Sequence, residues 1–135
     1  MILVATGMRR LFLAVLPLLA VSFVTAATAR ELSEDMDMIA ANYSAVLHTD
    51  NPATLKQALA DMYAAAADAR DATPPKLRGQ APESPQMQDY RRGIDTLLGQ
   101  IEQAQAKVEK GDIEGAKQVA GQFKQTRDEN HAKFR

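Results

Sequence analysis

SPQMQDYRRGIDTLLGQIEQAQAKVEKGD, residues 84–112, is the stretch that decides the fold. Ser84 and Pro85 form an N-cap followed by a first-turn proline, which is a typical helix start. Gly111 ends this helix and Asp112 caps the next one. Between these signals, apolar residues recur every three or four positions, as in a helix that packs on one side. These inner residues are Met87, Tyr90, Ile94, Leu97, Ile101, Ala104 and Val108.

The same period predicts three further helices on either side of this stretch. The first runs over about 31–48, and Asn51 followed by Pro52 starts the second. The second ends at Thr73-Pro74-Pro75, because neither proline has an amide hydrogen to donate. The inner residues of the three helices are Leu32, Met36, Ile39, Tyr43 and Val46; Leu55, Leu59, Met62, Ala66 and Ala69; and Ile113, Ala116, Ala120, Phe123, Arg127, His131 and Phe134.

The connections predict how these helices are arranged. Short links near residues 49–51 and 111–112 force neighbouring helices to run antiparallel. We therefore predict an all-α, antiparallel up-down-up-down four-helix bundle. Both chain ends of the bundle lie at one end, and the long proline-rich loop at 73–83 closes that same end. The small side chains of Ala66 and Ala69 are expected to leave room there for a flat group.

Residues 1–29 are predicted to be a secretory signal peptide. Two arginines precede an apolar run at residues 11–24, and small residues ending at Ala29 follow it, which is typical of a cleaved signal. The apolar run is too short to anchor the chain across a bilayer. We expect cleavage after Ala29 and a mature domain of residues 30–135. Met8, directly before the two arginines, is a candidate for the true translation start.

Composition excludes several classes of function. The 135 residues carry a net charge of −1, and no basic face indicates nucleic-acid binding. The chain has no cysteine, so it has neither disulfides nor the Cys-x-x-Cys-His sequence that attaches haem covalently. No nucleophile–base pair is evident, and we predict that the protein is not an enzyme.

Met36 and His131 are the candidate metal ligands. They lie on the inner faces of the first and last helices, and at ~1.5 Å of rise per residue both are roughly 6–8 Å from the same end of the bundle. A thioether and an imidazole at equal depth are the ligand set of a six-coordinate haem electron carrier. Without cysteine, such a haem would be b-type and held non-covalently.

Other interpretations of these residues stay open. His131 alone could be a hydrogen-bonded core or helix-end residue, and Met36 could fill a gap in the core. A copper site that adds Met38 is conceivable because soft ligands suit cuprous ion, although the two methionines would point apart. The acidic residues at 34–37 are interpreted as acids that suit the helix dipole, and His48 as structural.

The mature chain resembles the cytochrome b562 family over residues 31–135, almost without gaps. The resemblance implies a periplasmic protein with one b-type haem, which exchanges electrons with unknown redox partners. A monomer is the default expectation, and the predicted cleavage leaves no membrane attachment. The matching stretches are 71–77 (DATPPKL), 84–91 (SPQMQDYR), 99–101 (GQI), 126–127 (TR), His131 and 133–135 (KFR).

The resemblance also implies the residues of the site. The family's axial ligands fall on Met36 and His131. Tyr90 and Ile94 stand where the family has phenylalanines, so the Tyr90 hydroxyl needs a hydrogen-bond partner and Ile94 removes a ring. The remaining implied positions are Ile39, Tyr43, Pro74 and Pro75 as haem-facing residues, and Arg127 and Arg135 as propionate partners.

A rival hypothesis is a haem-free periplasmic bundle, a binding or stress module that keeps the fold without the cofactor. Such a protein would have little reason to retain both Met36 and His131. Their joint presence therefore favours the haem protein.

Overall fold

The computed structural model describes residues 30–135. The predicted signal peptide and Met8 lie outside these described residues. The elements are α1 (Leu32–His48), α2 (Pro52–Arg70), a short 3-10 helix (Pro75–Leu77), α3 (Pro85–Glu109) and α4 (Ile113–Phe134).

Side-chain caps start three of the helices where the sequence predicts them. The Asn51 side chain accepts hydrogen bonds from two backbone N–H groups of α2, at 2.9 and 3.1 Å. The Ser84 hydroxyl accepts one at the start of α3, at 3.2 Å, and the Asp112 carboxylate accepts one at the start of α4, at 2.8 Å. Gly111 has a φ of +75°, which glycine adopts without strain, so the chain can reverse between α3 and α4.

Pairs of side chains between α2 and α3 show that these two helices run antiparallel. Residue numbers rise along α2 as they fall along α3. The pairs that join α2 and α3 are Lys56–Glu109, Tyr63–Glu102 and Arg70–Asp95, at 3.0, 3.1 and 2.5 Å. The predicted all-α four-helix bundle is confirmed, and these pairs agree with the up-down-up-down order.

The core is closed at the end that holds the two short connections. Fully buried side chains fill that end, and they belong to all four helices. They are Val46, Leu55, Leu59, Ala104, Ala116 and Ala120. Because water has no access to these side chains, this end supplies apolar burial that stabilises the bundle.

The opposite end is more open. α1 packs closely on α2, and α3 on α4, whereas α1 and α4 make the fewest close backbone approaches of the neighbouring helix pairs. The rings of Tyr43 and Phe123 bridge these two helices, with centroids 6.2 Å apart. The predicted 73–83 loop contains the 3-10 helix, whose Leu77 is buried. None of the helices in 30–135 is both long and apolar enough for a bilayer span.

Candidate functional site

A cavity of about 740 Å³ lies at the open end, and residues of α1 and α4 form most of its wall. α3 supplies a further wall, and Pro74 and Pro75 of the loop close one side. Its size falls within the range of about 300–1,000 Å³ that is typical of small-molecule and cofactor sites. The weak contact between α1 and α4 is therefore the structural origin of the cavity.

All ten residues that the sequence analysis assigned to a cofactor line this one cavity. They come from α1, the loop, α3 and α4. They are Met36, Ile39, Tyr43, Pro74, Pro75, Tyr90, Ile94, Arg127, His131 and Arg135.

Met36 and His131 lie on the two helices that the cavity separates, and both side chains are half-buried. Burial lowers the pKa of His131, and the positive charges of Arg135 and Arg127 lower it further, against the opposing charge of Asp128. The imidazole is therefore biased toward its neutral form, which has a lone pair for a metal. A thioether and a neutral imidazole then face one apolar space.

Tyr90 forms a buried wall of the cavity on α3, and the structure supplies the partner that its hydroxyl needs. The hydroxyl donates a hydrogen bond to the carbonyl oxygen of Ala69 at 2.5 Å. The ring meets Phe134 edge to face, with centroids 5.5 Å apart. Burial and then the charge of Asp35 raise the pKa of Tyr90 to about 12. The ring is therefore a neutral, fixed surface.

The rim of the cavity is polar. Arg127 donates to the Asp128 carboxylate at 3.0 and 3.1 Å, and Lys124 donates to the other oxygen of the same group at 2.8 Å. These bonds lower the pKa of Asp128. With Arg135, the α4 side of the rim carries three cations and one carboxylate, so it favours an anionic group at the mouth.

A buried carboxylate lies directly beside Met36 in the chain. Asp35 lies in the first turn of α1, as its interpretation as a helix-start acid requires, but it is also fully buried, which the sequence analysis did not predict. Burial and then the neighbouring Asp68 carboxyl raise the pKa of Asp35 to about 6, and Arg30 partly opposes this. The sequence spacing could have indicated this burial, because Asp35 lies three residues after Leu32 and four before Ile39, which is the interval of the core face.

α3 and α4 approach each other closely beside His131. A β-carbon at Gly93 would lie 1.8 Å from the side-chain oxygen of Asn130, so a larger residue would require the Asn130 side chain to move. The Asn130 amide in turn donates to the backbone oxygen of Thr126 at 2.7 Å. The sequence analysis assigned none of these residues to the site. Five further lining residues were missed as site residues, although all five lie on the predicted inner faces: Leu32, Met62, Leu97, Phe123 and Phe134.

One expectation about neighbouring residues is wrong, and another agrees with the structure. Ala66 and Ala69 are fully buried and do not line the cavity, so the prediction that they leave room there is wrong. They let α2 pack tightly on its neighbours instead. Met62 is the α2 residue that lines the cavity. Met38 lies outside the cavity with its sulfur against the Arg30 guanidinium, which disfavours the copper site. Residues 30–135 contain no group of three or more His, Asp or Glu that could hold a metal ion.

Comparison with known proteins identifies the family of this chain. The family model described as cytochrome b562 matches residues 31–135. A protein named probable soluble cytochrome b562 2, from Yersinia pestis, is 42% identical over 107 residues, which cover 79% of this chain and 84% of that protein. Probable soluble cytochrome b562 1 from the same organism is 36% identical with the same coverage. The chain thus belongs to the cytochrome b562 family.

Proposed function

We propose that this protein is an exported electron carrier that binds one non-covalent b-type haem per chain, with Met36 and His131 as axial ligands. The observation that carries the proposal is their shared cavity, which separates α1 from α4. A flat macrocycle between those helices would present one of its faces to each ligand. Membership of the cytochrome b562 family supports the same cofactor.

The residues of the cavity fit a haem. The walls are apolar, as the porphyrin ring requires, and they include Ile39, Ile94 and the Tyr90 ring. The two donor atoms are a thioether and an imidazole, which together favour ferrous iron and a raised potential. The cations of the rim, Arg127 and Arg135, suit the propionates at the mouth of the cavity.

When bound, haem supplies a one-electron iron couple. Met36 and His131 of this chain would both hold the haem iron, and the iron would then have no position free for oxygen or a substrate. The apolar walls exclude water, and Tyr90 and Phe134 keep one wall rigid. Such a site transfers single electrons and does not catalyse a chemical conversion, so we propose that the protein is not an enzyme.

We further propose a periplasmic location, a monomeric state and separate redox partners. The arrangement of residues 1–29 supports export, with cleavage after Ala29 and no membrane attachment afterwards. Both relatives from Yersinia pestis are named as soluble proteins, which supports a soluble carrier here.

Absorption spectra of ligand variants test the axial pair. The chain is exported, purified and reconstituted with haemin. His131→Ala should abolish the low-spin spectrum, whereas His48→Ala should not, since His48 is exposed near the closed end. Met36→Ala should open one position, so that the reduced protein binds carbon monoxide. Met38→Ala is the matched control on the same helix and should leave the spectrum unchanged.

The rival haem-free module predicts a different result. Haem binding only to the native state would raise thermal stability by mass action. Colourless protein whose melting temperature does not change with haemin would favour the rival. An unchanged low-spin spectrum in His131→Ala would exclude His131 as a ligand, whatever the cofactor.

A further inference from the structure

A buried pair of carboxyl groups lies next to the first described residue. Asp35 of α1 has no exposed surface, and neither of its carboxylate oxygens has a hydrogen-bond partner within residues 30–135. Asp68 of α2 is its neighbour. A buried carboxylate that accepts no hydrogen bond is costly, because folding removes its water without replacing the hydrogen bonds. This pair therefore calls for a donor or a cation.

Arg30 approaches both carboxyl groups, through different atoms. Its backbone nitrogen donates to Asp68 Oδ2 at 3.0 Å. Its side-chain Nε lies 3.6 Å from Asp35 Oδ1, which is within ion-pair range but beyond a hydrogen bond. The Arg30 backbone thus reaches Asp68 and its guanidinium reaches Asp35, while Nη1 of the same guanidinium is directed at the sulfur of Met38.

The charge on the Arg30 backbone nitrogen depends on whether the chain is cleaved. In the uncleaved chain this nitrogen belongs to the peptide bond with Ala29, so it is neutral and has one hydrogen. Cleavage after Ala29 converts it to an α-amino group, which is protonated at neutral pH and has three hydrogens. At 3.0 Å from Asp68, the new cation would form a charge-assisted hydrogen bond with hydrogens to spare.

We propose that removal of the signal peptide completes the fold: the new α-ammonium of Arg30 binds the Asp35–Asp68 carboxyl pair and fastens the start of α1 to α2. The inference rests on the proposed export and on cleavage after Ala29. It assigns a structural role to the processing step, because the mature chain has two cations for the pair where the precursor has one. The turn of α1 that carries Met36 would then be held most firmly in the processed protein.

A double-mutant cycle tests this. Chains that begin at Arg30 are compared with chains that retain Thr28-Ala29 ahead of it, each with Asp68 or with Asp68→Asn. Urea unfolding followed by far-ultraviolet circular dichroism measures the helices, so the result does not depend on haem binding. With Asp68, the extension should shift the unfolding equilibrium about tenfold toward the unfolded state, the usual scale of one hydrogen bond to a charged group.

With Asp68→Asn, the extension should cost about twofold or less, because the carboxylate in direct contact with the ammonium is gone. Asp61→Asn is the control on α2, since Asp61 accepts a hydrogen bond from Gln57 and lies away from the pair. An equal cost of the extension in all backgrounds, or no cost, would overturn the proposal.

A second measurement keeps the proposal testable if Asp68→Asn does not fold. Acetylation of the α-amino group of the mature chain removes its charge and retains one N–H. It should reproduce the roughly tenfold shift without any substitution; an unchanged urea midpoint would contradict the role of the charge. An intact mass of the exported chain that shows a start other than Arg30 would also overturn the inference, while the haem spectra would stand independently.

Discussion

The two ends of the bundle use one sequence pattern for opposite purposes. At the closed end, inner positions such as Val46 and Leu59 are fully buried, and the four helices meet around them. At the open end, the same spacing presents Met36 and His131, both half-buried, to a cavity of about 740 Å³. Helix periodicity therefore decides which face turns inward, whereas the residue types decide whether that face closes or leaves a space.

The largest difference between the two ends should appear when a core side chain is shortened. Leu59→Ala should lower the free energy of unfolding by about 3 kcal/mol, because it opens a cavity in a filled core. Ile94→Ala should cost less than half of that in haem-free protein, since Ile94 already borders an empty space. Urea unfolding measures both. Equal losses would show that the open end is packed as tightly as the closed one.

A helix contact beside the cavity provides the next test. Gly93→Ala should cost about 2 kcal/mol, because the new β-carbon displaces the Asn130 side chain and breaks its bond to the Thr126 carbonyl. Gly99→Ala is the matched control on α3. A β-carbon there meets nothing within 4 Å, and alanine should stabilise the helix by up to about 1 kcal/mol.

The same variants sharpen the assignment of the site. Adding Asn130→Ala to Gly93→Ala should recover the part of the loss that comes from the collision, but not the part that comes from the lost bond to Thr126. The haem spectrum should also shift in Gly93→Ala, since Asn130 directly precedes His131. Similar stability changes for the two glycine variants would mean that α3 and α4 do not depend on this close approach.

The sequence predicts those features that are settled locally. Asn51, Ser84 and Asp112 cap their helices because a cap needs only the next few backbone N–H groups. The joint position of Met36 and His131 also follows from the sequence, since short connections determine which helix ends meet. The topology alone therefore predicts the end of the bundle at which their cavity lies, whereas the haem that would occupy it is a proposal.

Features that depend on contacts between distant parts of the chain cannot be predicted from the sequence alone. The burial of Asp35 depends on Asp68, which reaches it from another helix. The Tyr90 hydroxyl clearly needs a partner, yet only the fold shows that the partner is the carbonyl of Ala69. The prediction that Ala66 and Ala69 leave room in the cavity failed because small side chains permit either a void or a close helix contact. The packing of whole helices decides between the two.

Removing one hydroxyl should have a smaller effect on the open end. Tyr90→Phe keeps the ring and its edge contact with Phe134 but leaves the Ala69 carbonyl without this donor. We expect a loss of about 1 kcal/mol in the free energy of unfolding, and retention of haem binding. Tyr43→Phe is the control, because Tyr43 is half-buried on the same cavity. If both substitutions have the same effect, the bond to Ala69 does not stabilise the wall.

The smallest effect is expected at the closed end, where Asp50 pairs with Lys117 at 2.5 Å and joins the α1–α2 connection to α4. The hydrogen bond and charge of Lys117 lower the pKa of Asp50. A carboxylate whose pKa is lower in the folded state stabilises the fold above its unfolded pKa of about 3.9, and this contribution is lost as the pH falls through the folded value.

Asp50→Asn should therefore lower the urea midpoint slightly at pH 7. In strong acid the Asp50 carboxyl is protonated in the wild type, so the wild type and the variant should have the same midpoint. The effect should be small because Asp50 is largely exposed, and water and salt screen exposed ion pairs. Added salt should reduce the difference between wild type and variant at pH 7. A large, salt-independent loss would mean that the closed end depends on this surface pair as well as on its buried side chains.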